Sequence, residues 1–287
     1  MMWFFYSFIS ALFSAASALT QKKVLQKLEA FDFCLLISII NILFSFNFFI
    51  KANWSTLTFP IFFIVFIKSF LNALGFWSVM KGIKTLELSR ALPLLALTPA
   101  FVALGAFIFL NETLGFYDLV GVTFVIIGTV ILEFHEKKFE WKKFNQHGAL
   151  LLALFFMTCN TLLDRYLVGP LKISPPLVMA LTQSAFLIFF LALWPFIKTP
   201  YLKLKIGVIE NWKWLLLIAV LTLTYRYTNL LALALAPAAL VITVKRSSVF
   251  FATSIGGKLF KEVHWGKRTM AAVFLVVGTM FLFKHGG

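Results

Sequence analysis

The stretch LTPAFVALGAFIFLNETLGFYDLVGVTFVIIGTVIL, residues Leu97–Leu132, contains two apolar runs separated by a polar break at Asn111 and Glu112. A helix needs about 20 mostly apolar residues to cross the hydrocarbon core of a bilayer. Predicted helices over 86–110 and 116–134 meet that length. The stretch therefore predicts two consecutive membrane-spanning helices.

The same alternation of apolar runs and short polar breaks extends over the whole chain. The 287 residues are 61% hydrophobic and 13% charged, with 36 phenylalanines, a composition outside the range of soluble domains. The predicted spans are 2–20, 31–50, 58–80, 86–110, 116–134, 147–168, 175–197, 211–232, 235–257 and 266–284. We therefore expect an all-α integral membrane protein with ten transmembrane helices. The first span lacks a basic leader, so it is predicted to be retained rather than cleaved.

The distribution of basic residues predicts the orientation in the membrane. Of the 26 lysines and arginines, 17 lie in loops that follow odd-numbered spans, four lie in the other loops and five lie inside or at the edge of spans. The positive-inside rule places the odd loops in the cytoplasm and both termini outside. Basic loops beside anionic lipid headgroups explain most of the net charge of +15 without a nucleic-acid partner.

An internal repeat indicates how the spans are arranged. A shift of 150 residues brings Leu110-Asn111-Glu112 onto Phe260-Lys261-Glu262, and Gly128-Thr129 onto Gly278-Thr279. The chain therefore divides into two five-span repeats, 1–140 and 141–287. Because five is odd, the second repeat is inverted, an architecture typical of transporters with a binding site near the bilayer midplane. A duplicated scaffold without transport is the alternative.

Other motifs have structural interpretations or none. Ser10, Ser14 and Ala18 form a stripe of small residues that predicts close helix packing rather than ligand contact. Glu112 and Glu262 end their spans at matching places and are interpreted as interfacial structural residues. Cys34 and Cys159 lie in separate spans without CxxC spacing, so no metal, cofactor or enzyme activity is predicted.

Cations inside the predicted spans carry the functional signal. Lys245 and Arg246, in TVKRSSVF, lie about 15 Å from the start of their predicted span. Each such charge at the bilayer centre costs about 2.5–3.5 kcal/mol even on a lenient scale. Lys68, Arg226 and Arg90 are further cations in or at the edge of spans, whereas the eleven acids all fall in loops or at span ends.

This surplus of buried positive charge predicts an anionic substrate that supplies the missing negative charge. Two structural alternatives stay open. In one, Lys245 bonds helix carbonyls or is buried uncharged. In the other, Arg246 pairs with Asp164, the acid predicted to reach deepest into the membrane.

The motifs as a set resemble the drug/metabolite transporter superfamily, specifically its EamA-type members. The resemblance rests on Leu97–Leu114, Gly121–Leu132, VKRSSVFFATSIGGKLFKE at Val244–Glu262, and the ten predicted spans. The Lys245-Arg246 pair is similar to one with which phosphate-translocating plastid members hold phosphate. Those relatives carry a Lys where this chain has Leu95, a departure from a strict sugar-phosphate exchanger. The resemblance implies alternating access between two bundles and no catalysis on the solute.

We therefore expect a secondary transporter of a small organic anion, a phosphorylated or carboxylated metabolite. The predicted substrate-binding residues are Lys245, Arg246, Lys68, Arg226, Tyr225, Tyr227, Arg90, Asn160 and Gln183. The alternatives are a proton-coupled exporter of cationic drugs, which needs a deep carboxylate that none of the acids provides, and a lipid-headgroup flippase or membrane scaffold. The expected partners are the substrate and membrane lipids, and a homodimer is left open.

Overall fold

The computed structural model describes residues 2–85, 98–133, 144–197 and 201–259, together with Phe274, Val277, Gly278 and Phe281. Ten α-helices make up most of these ranges, together with a 3₁₀ turn at Trp54–Thr56. They are α1 Met2–Leu25, α2 Ala30–Phe44, α3 Phe46–Lys51, α4 Phe59–Thr85, α5 Thr98–Leu110, α6 Phe116–Glu133, α7 Phe144–Val168, α8 Pro175–Ile197, α9 Tyr201–Leu235 and α10 Ala238–Leu259.

The apolar surface of the bundle is that of a protein surrounded by lipid. Five helices, α1, α4, α7, α8 and α9, contain segments long and apolar enough to cross a membrane, and α2, α5 and part of α6 are shorter apolar helices. Large apolar side chains point outward along α4, including Phe62, Phe63, Phe66 and Phe70. A soluble monomer rarely exposes so continuous an apolar face. The chain is a multi-pass, all-α integral membrane protein.

Helix packing gathers two apolar clusters inside the bundle. α1 packs against α9 and α10, and α4 packs against α7 and α8. Gly75 lets α4 approach α7 closely, because a Cβ added there would lie 3.2 Å from Phe156 Cβ. One cluster includes Phe33, Phe186 and Phe190. The other is formed by parts of α7, α8, α9 and α10, together with Trp3, Val65 and other side chains.

Several predicted spans differ from the observed helices. The predicted span 31–50 is divided into α2 and α3 at Ser45, whose hydroxyl donates to the Asn41 carbonyl at 2.7 Å. Such back-bonding to the fourth preceding residue bends helices. The predicted ninth span begins at 235, but Leu235 belongs to α9 and Pro237 separates it from α10.

The remaining predictions about spans are tested only in part. The helix over 175–197 has the predicted bounds, and α6 ends within one residue of the prediction. Arg90, Glu262 and most of the predicted tenth span lie outside the described residues. The division into inverted repeats and the orientation of the termini stay predictions.

Candidate functional site

A central cavity lies between the helices of both halves of the chain. Its volume is about 160 Å³, and its lining comes from α1, α4, α7, α8, α9 and α10. One water needs about 10–15 Å³ of such space, so the cavity has room for about ten to fifteen waters or one small solute. Phe76 and Met80 contribute from one apolar cluster, and Met179 and Ile242 contribute from the other.

The charged side chains of the cavity are strongly biased toward positive charge. Four cations line it, Lys68 on α4, Arg226 on α9, and Lys245 and Arg246 on α10, whereas Asp164 on α7 is the one carboxylate among the lining residues that the structure describes. If all five are ionised, the site carries three positive charges in excess. Measured along the helix axis, Lys68 and Lys245 lie about 10–14 Å from the first residues of α4 and α10.

Lys68 and Asp164 form a buried ion pair at the cavity wall. Lys68 Nζ lies 2.8 Å from Asp164 Oδ1, and the two side chains are 3% and 10% exposed. The Lys68 ammonium donates a hydrogen bond to Thr182 Oγ1 at 2.7 Å. Asn160 Nδ2 donates to the other carboxylate oxygen at 3.1 Å. The pair therefore connects α4, α7 and α8 beside the space where a solute would sit.

The other three cations are held by aromatic rings or a hydroxyl. The Arg226 guanidinium lies between the rings of Phe76 and Phe186, 5.2 and 5.0 Å from their centroids. Lys245 Nζ lies 5.2 Å from the centroid of the Tyr225 ring. Arg246 Nη2 donates to Thr98 Oγ1 at 2.6 Å. Within the described residues these three side chains form no ion pair with a carboxylate.

The alternative in which Arg246 pairs with Asp164 is therefore not supported by the described contacts. Asp164 instead pairs with Lys68 of α4. The two residues meet because α4 packs against α7. Asp164 also lines the cavity and is buried, so the expectation that none of the acids provides a deep carboxylate does not hold for it. It lies in the last turns of α7, where the sequence placed it at a span end.

Several polar atoms of the cavity residues have no hydrogen-bond partner within the part of the chain that the structure describes. Arg226 Nη1 and Arg246 Nε are buried donors of this kind, and Asn160 Oδ1 and Asn229 Oδ1 are buried acceptors. Buried polar groups are nearly always bonded in folded proteins. These atoms are available to a ligand. Among the described residues, no group of three or more His, Cys, Asp or Glu side chains is placed to hold a metal ion.

The structure brings six of the predicted site residues together and separates two. Lining the cavity are Lys245, Arg246, Lys68, Arg226, Tyr225 and Asn160. Tyr227 is not among the lining residues and packs on Phe48, with ring centroids 4.9 Å apart. Gln183 is buried outside the cavity lining. Tyr227 directly follows the lining residue Arg226, and Gln183 directly follows the lining residue Thr182. Because successive helical residues point about 100° apart, neither lies on the same helix face as its lining neighbour.

Three further polar residues of the lining stand at helical spacing from predicted ones. Asn72 follows Lys68 by four residues, Asp164 follows Asn160 by four, and Asn229 follows Arg226 by three. Residues three or four apart share a helix face. This spacing is the sequence signal that would have found them. Ser14 and Ala18, which the sequence assigns to helix packing, also line the cavity.

We refer to Lys68, Asp164, Arg226, Lys245 and Arg246 as the charged layer. A second polar network joins helices outside this layer. Arg165 Nε donates to Glu112 Oε1 at 2.5 Å, and Arg165 Nη1 donates to the Leu233 carbonyl near the end of α9. Glu112 Oε2 accepts from the Ala238 amide at 2.9 Å, which caps the start of α10. We refer to Glu112, Arg165, Leu233 and Ala238 as the junction clamp. The structural role predicted for Glu112 is confirmed.

The cavity extends away from the junction clamp. Its lining residues continue toward the C-terminal ends of α1 and α4, as far as Gln21 and Ile83. At that end Lys22 Nζ donates to the Ile83 carbonyl. The charged layer therefore lies between the junction clamp and a longer, mostly uncharged part of the cavity.

Comparisons with known proteins agree with this architecture. Among 29 matching chains of solved structures, one described only as "Crystal structure of protein" aligns with a TM-score of 0.72 at 14% identity, covering 97% of this chain and 95% of that chain. This likeness shows a shared fold. No curated protein matches the chain significantly. Residues 1–134, the segment that holds α1–α6, match the EamA-like transporter family.

Proposed function

We propose that this protein is a secondary transporter of a small organic anion that carries a phosphate or carboxylate group. The observation that supports this most is the charge of the cavity, where four cations face one carboxylate. The EamA-like match of residues 1–134 supports membership of the drug/metabolite transporter superfamily and transport as the activity. The substrate class follows from the charges.

The energetics of burial favour an anionic ligand over an empty site. An uncompensated ion inside a protein costs several kcal/mol after relaxation. Arg226 and Arg246 each keep one buried donor without a partner. A phosphate or carboxylate would satisfy these donors with charge-assisted hydrogen bonds, for which the guanidinium fork is suited.

Alternating access between two inverted repeats is the proposed mechanism. The cavity draws α1 and α4 from the first proposed repeat and α7, α8, α9 and α10 from the second. In the first half Lys22 donates to the Ile83 carbonyl. In the second half Arg165 donates to the Leu233 carbonyl. These carbonyls are 150 residues apart, the shift of the sequence repeat, which supports the duplication. Movement of one half against the other would expose the charged layer to either side.

Export of cationic compounds is the second candidate, because Asp164 supplies the deep carboxylate that such a function needs. The surrounding charges disfavour it. Asp164 is already paired with Lys68, and the remaining three cations repel a second positive charge in the same cavity. A lipid-headgroup flippase would require phospholipid in the cavity of the purified protein, which lipid extraction and mass spectrometry would detect.

Thermal unfolding of the purified protein tests the charge of the ligand. A ligand stabilises the state that it binds, so glycerol 3-phosphate or citrate should raise the unfolding temperature, while neutral glycerol and cationic spermidine should not. Stabilisation by spermidine alone would contradict the proposal and favour the cation exporter.

Uptake by Arg246→Ala tests the assignment of the site. We expect binding of the stabilising anion to weaken about 10- to 100-fold, the loss of one hydrogen bond to a charged group, with a matching fall in proteoliposome uptake. Lys213→Ala is the matched control, because Lys213 is an exposed cation beside Trp212. Equal uptake by both variants would remove Arg246 from the site.

A further inference from the structure

We infer that Asp164 is a proton-binding site that couples anion movement to proton movement in the same direction. The inference rests on the proposed function. It starts from the Lys68–Asp164 ion pair, which is both buried and part of the cavity wall. Among the ion pairs within the described residues, the Lys84–Glu29 pair is partly exposed and the Arg165–Glu112 pair belongs to the junction clamp outside the cavity lining.

Apart from Asp164 itself, the charged side chains that the described residues contribute to the cavity are all positive. α4 contributes Lys68, α9 contributes Tyr225 and Arg226, and α10 contributes Lys245 and Arg246. α8 contributes the Thr182 hydroxyl to the cavity, and Thr98 on α5 accepts from Arg246 outside the lining; the described parts of both helices place no charged side chain in the cavity. On α7 itself, Arg165 is turned toward Glu112. Among the lining residues that the structure describes, Asp164 is therefore the one that can hold a negative charge before an anion enters.

An entering anion competes with Asp164 for Lys68. The Lys68 ammonium is shared between the carboxylate and the Thr182 hydroxyl, and it lies on the cavity surface within reach of a solute. When the ammonium turns to the anion, the Asp164 carboxylate loses its counter-charge while it stays buried. A buried carboxylate without a partner costs several kcal/mol.

Protonation removes that cost. A proton from water binds one oxygen of the Asp164 carboxylate, so an O–H bond forms as the ion pair with Lys68 breaks. Asn160 can still donate to the second oxygen, as it does now. When the anion leaves on the other side, the proton is released there and the pair with Lys68 forms again. One negative group and one proton thus cross together.

Proteoliposomes with a pH gradient test the coupling, with labelled glycerol 3-phosphate and citrate as probes. The membrane voltage is held at zero by valinomycin with equal potassium on both sides. If one proton moves with each anion, an acidic exterior should concentrate the anion inside about tenfold per pH unit. Asp164→Asn cannot bind the proton, so it should bring the anion only to equal concentrations, while exchange of labelled for unlabelled anion continues.

Asp118→Asn is the matched control, because Asp118 is a buried acid that accepts from the Gly115 amide outside the cavity lining. It should accumulate the anion as the unsubstituted protein does. If Asp164→Asn fails to fold, the double variant Lys68→Gln with Asp164→Asn removes both charges; it should bind the anion more weakly, because Lys68 is lost, and on long incubation bring it only to equal concentrations.

The outcomes separate the two proposals. If the unsubstituted protein accumulates the anion and Asp164→Asn, or the double variant, accumulates it equally, the coupling role of Asp164 is overturned. Equilibration without accumulation by the unsubstituted protein would overturn coupling and leave the anion transporter intact. Uptake of neither anion would overturn both.

Discussion

The Lys68–Asp164 ion pair makes the two residues energetically dependent on each other. The side chains are 3% and 10% exposed, so either charge alone would be left in a buried site. Removing one partner of a buried pair typically destabilises a protein by about 3–5 kcal/mol, whereas replacing both with apolar residues is often neutral. The stability of the fold and the charge of the cavity are thus linked through one contact.

We predict that Lys68→Met lowers the stability of the protein by about 3 kcal/mol, because Asp164 would lose its counter-charge. The double variant Lys68→Met with Asp164→Leu should recover most of that loss. Thermal unfolding of both variants in one detergent measures the difference. A double variant no more stable than the single one would contradict an energetic role for the ion pair.

Individual residues also mark the limit of what the sequence could predict for the site. Lys245 and Arg246 are recognisable because charge is rare in an apolar helix, and both line the cavity. The partner of Asp164 does not follow from the sequence, because Lys68 is distant along the chain and only the packing of α4 against α7 joins the two residues. The sequence predicts Tyr227 as a binding residue because it neighbours Arg226, but its ring packs on Phe48.

At the scale of helices, the junction clamp fixes how α7, α9 and α10 meet. Arg165 bonds a carbonyl near the C-terminal end of α9, and Glu112 caps the start of α10. Carbonyls at the C-terminus and amides at the N-terminus of a helix lack intrahelical partners. The clamp supplies a partner to one such carbonyl of α9 and to one such amide of α10. It does so with a single ion pair between Glu112, in the loop after α5, and Arg165, in the last turn of α7.

Gly169→Ala should loosen the clamp. An added Cβ would lie 2.6 Å from Arg165 Nη1 and 2.8 Å from the Arg165 carbonyl oxygen, and the backbone oxygen cannot move away easily. We expect a loss of about 1–3 kcal/mol, as for overpacking elsewhere. Gly148→Ala is the matched control on α7, because no atom lies within 4 Å of its added Cβ, and alanine favours the helix. Equal unfolding temperatures for the two variants would contradict the tight contact.

Helix positions followed from the sequence better than helix breaks did. The bounds of α8 agree with the prediction because proline starts it and apolar residues fill it. The division of the second span was not predicted, because Ser45 stands within an apolar run and its effect depends on a local bond to the Asn41 carbonyl. Apolar runs of bilayer length predict that a helix forms, whereas side chains that bond its backbone decide where it bends.

At the scale of the whole molecule, polar and apolar contacts occupy different layers. Apolar clusters surround the charged layer, and large apolar side chains face outward. In lipid the outward face contributes no hydrophobic driving force between helices. Close packing at positions such as Gly75, together with the buried polar contacts, holds the helices to one another.

The orientation of this assembly in the membrane is a prediction from the basic loops alone. It places Gln26, just after α1, in the cytoplasm and Ser55, between α3 and α4, outside; both are exposed. In a background of Cys34→Ala and Cys159→Ala, a membrane-impermeant maleimide added to intact cells should label Ser55→Cys and leave Gln26→Cys unlabelled. Inside-out vesicles should give the opposite pattern, and labelling of Gln26→Cys in intact cells would invert the topology, so that the cavity end at Gln21 and Ile83 would face outward.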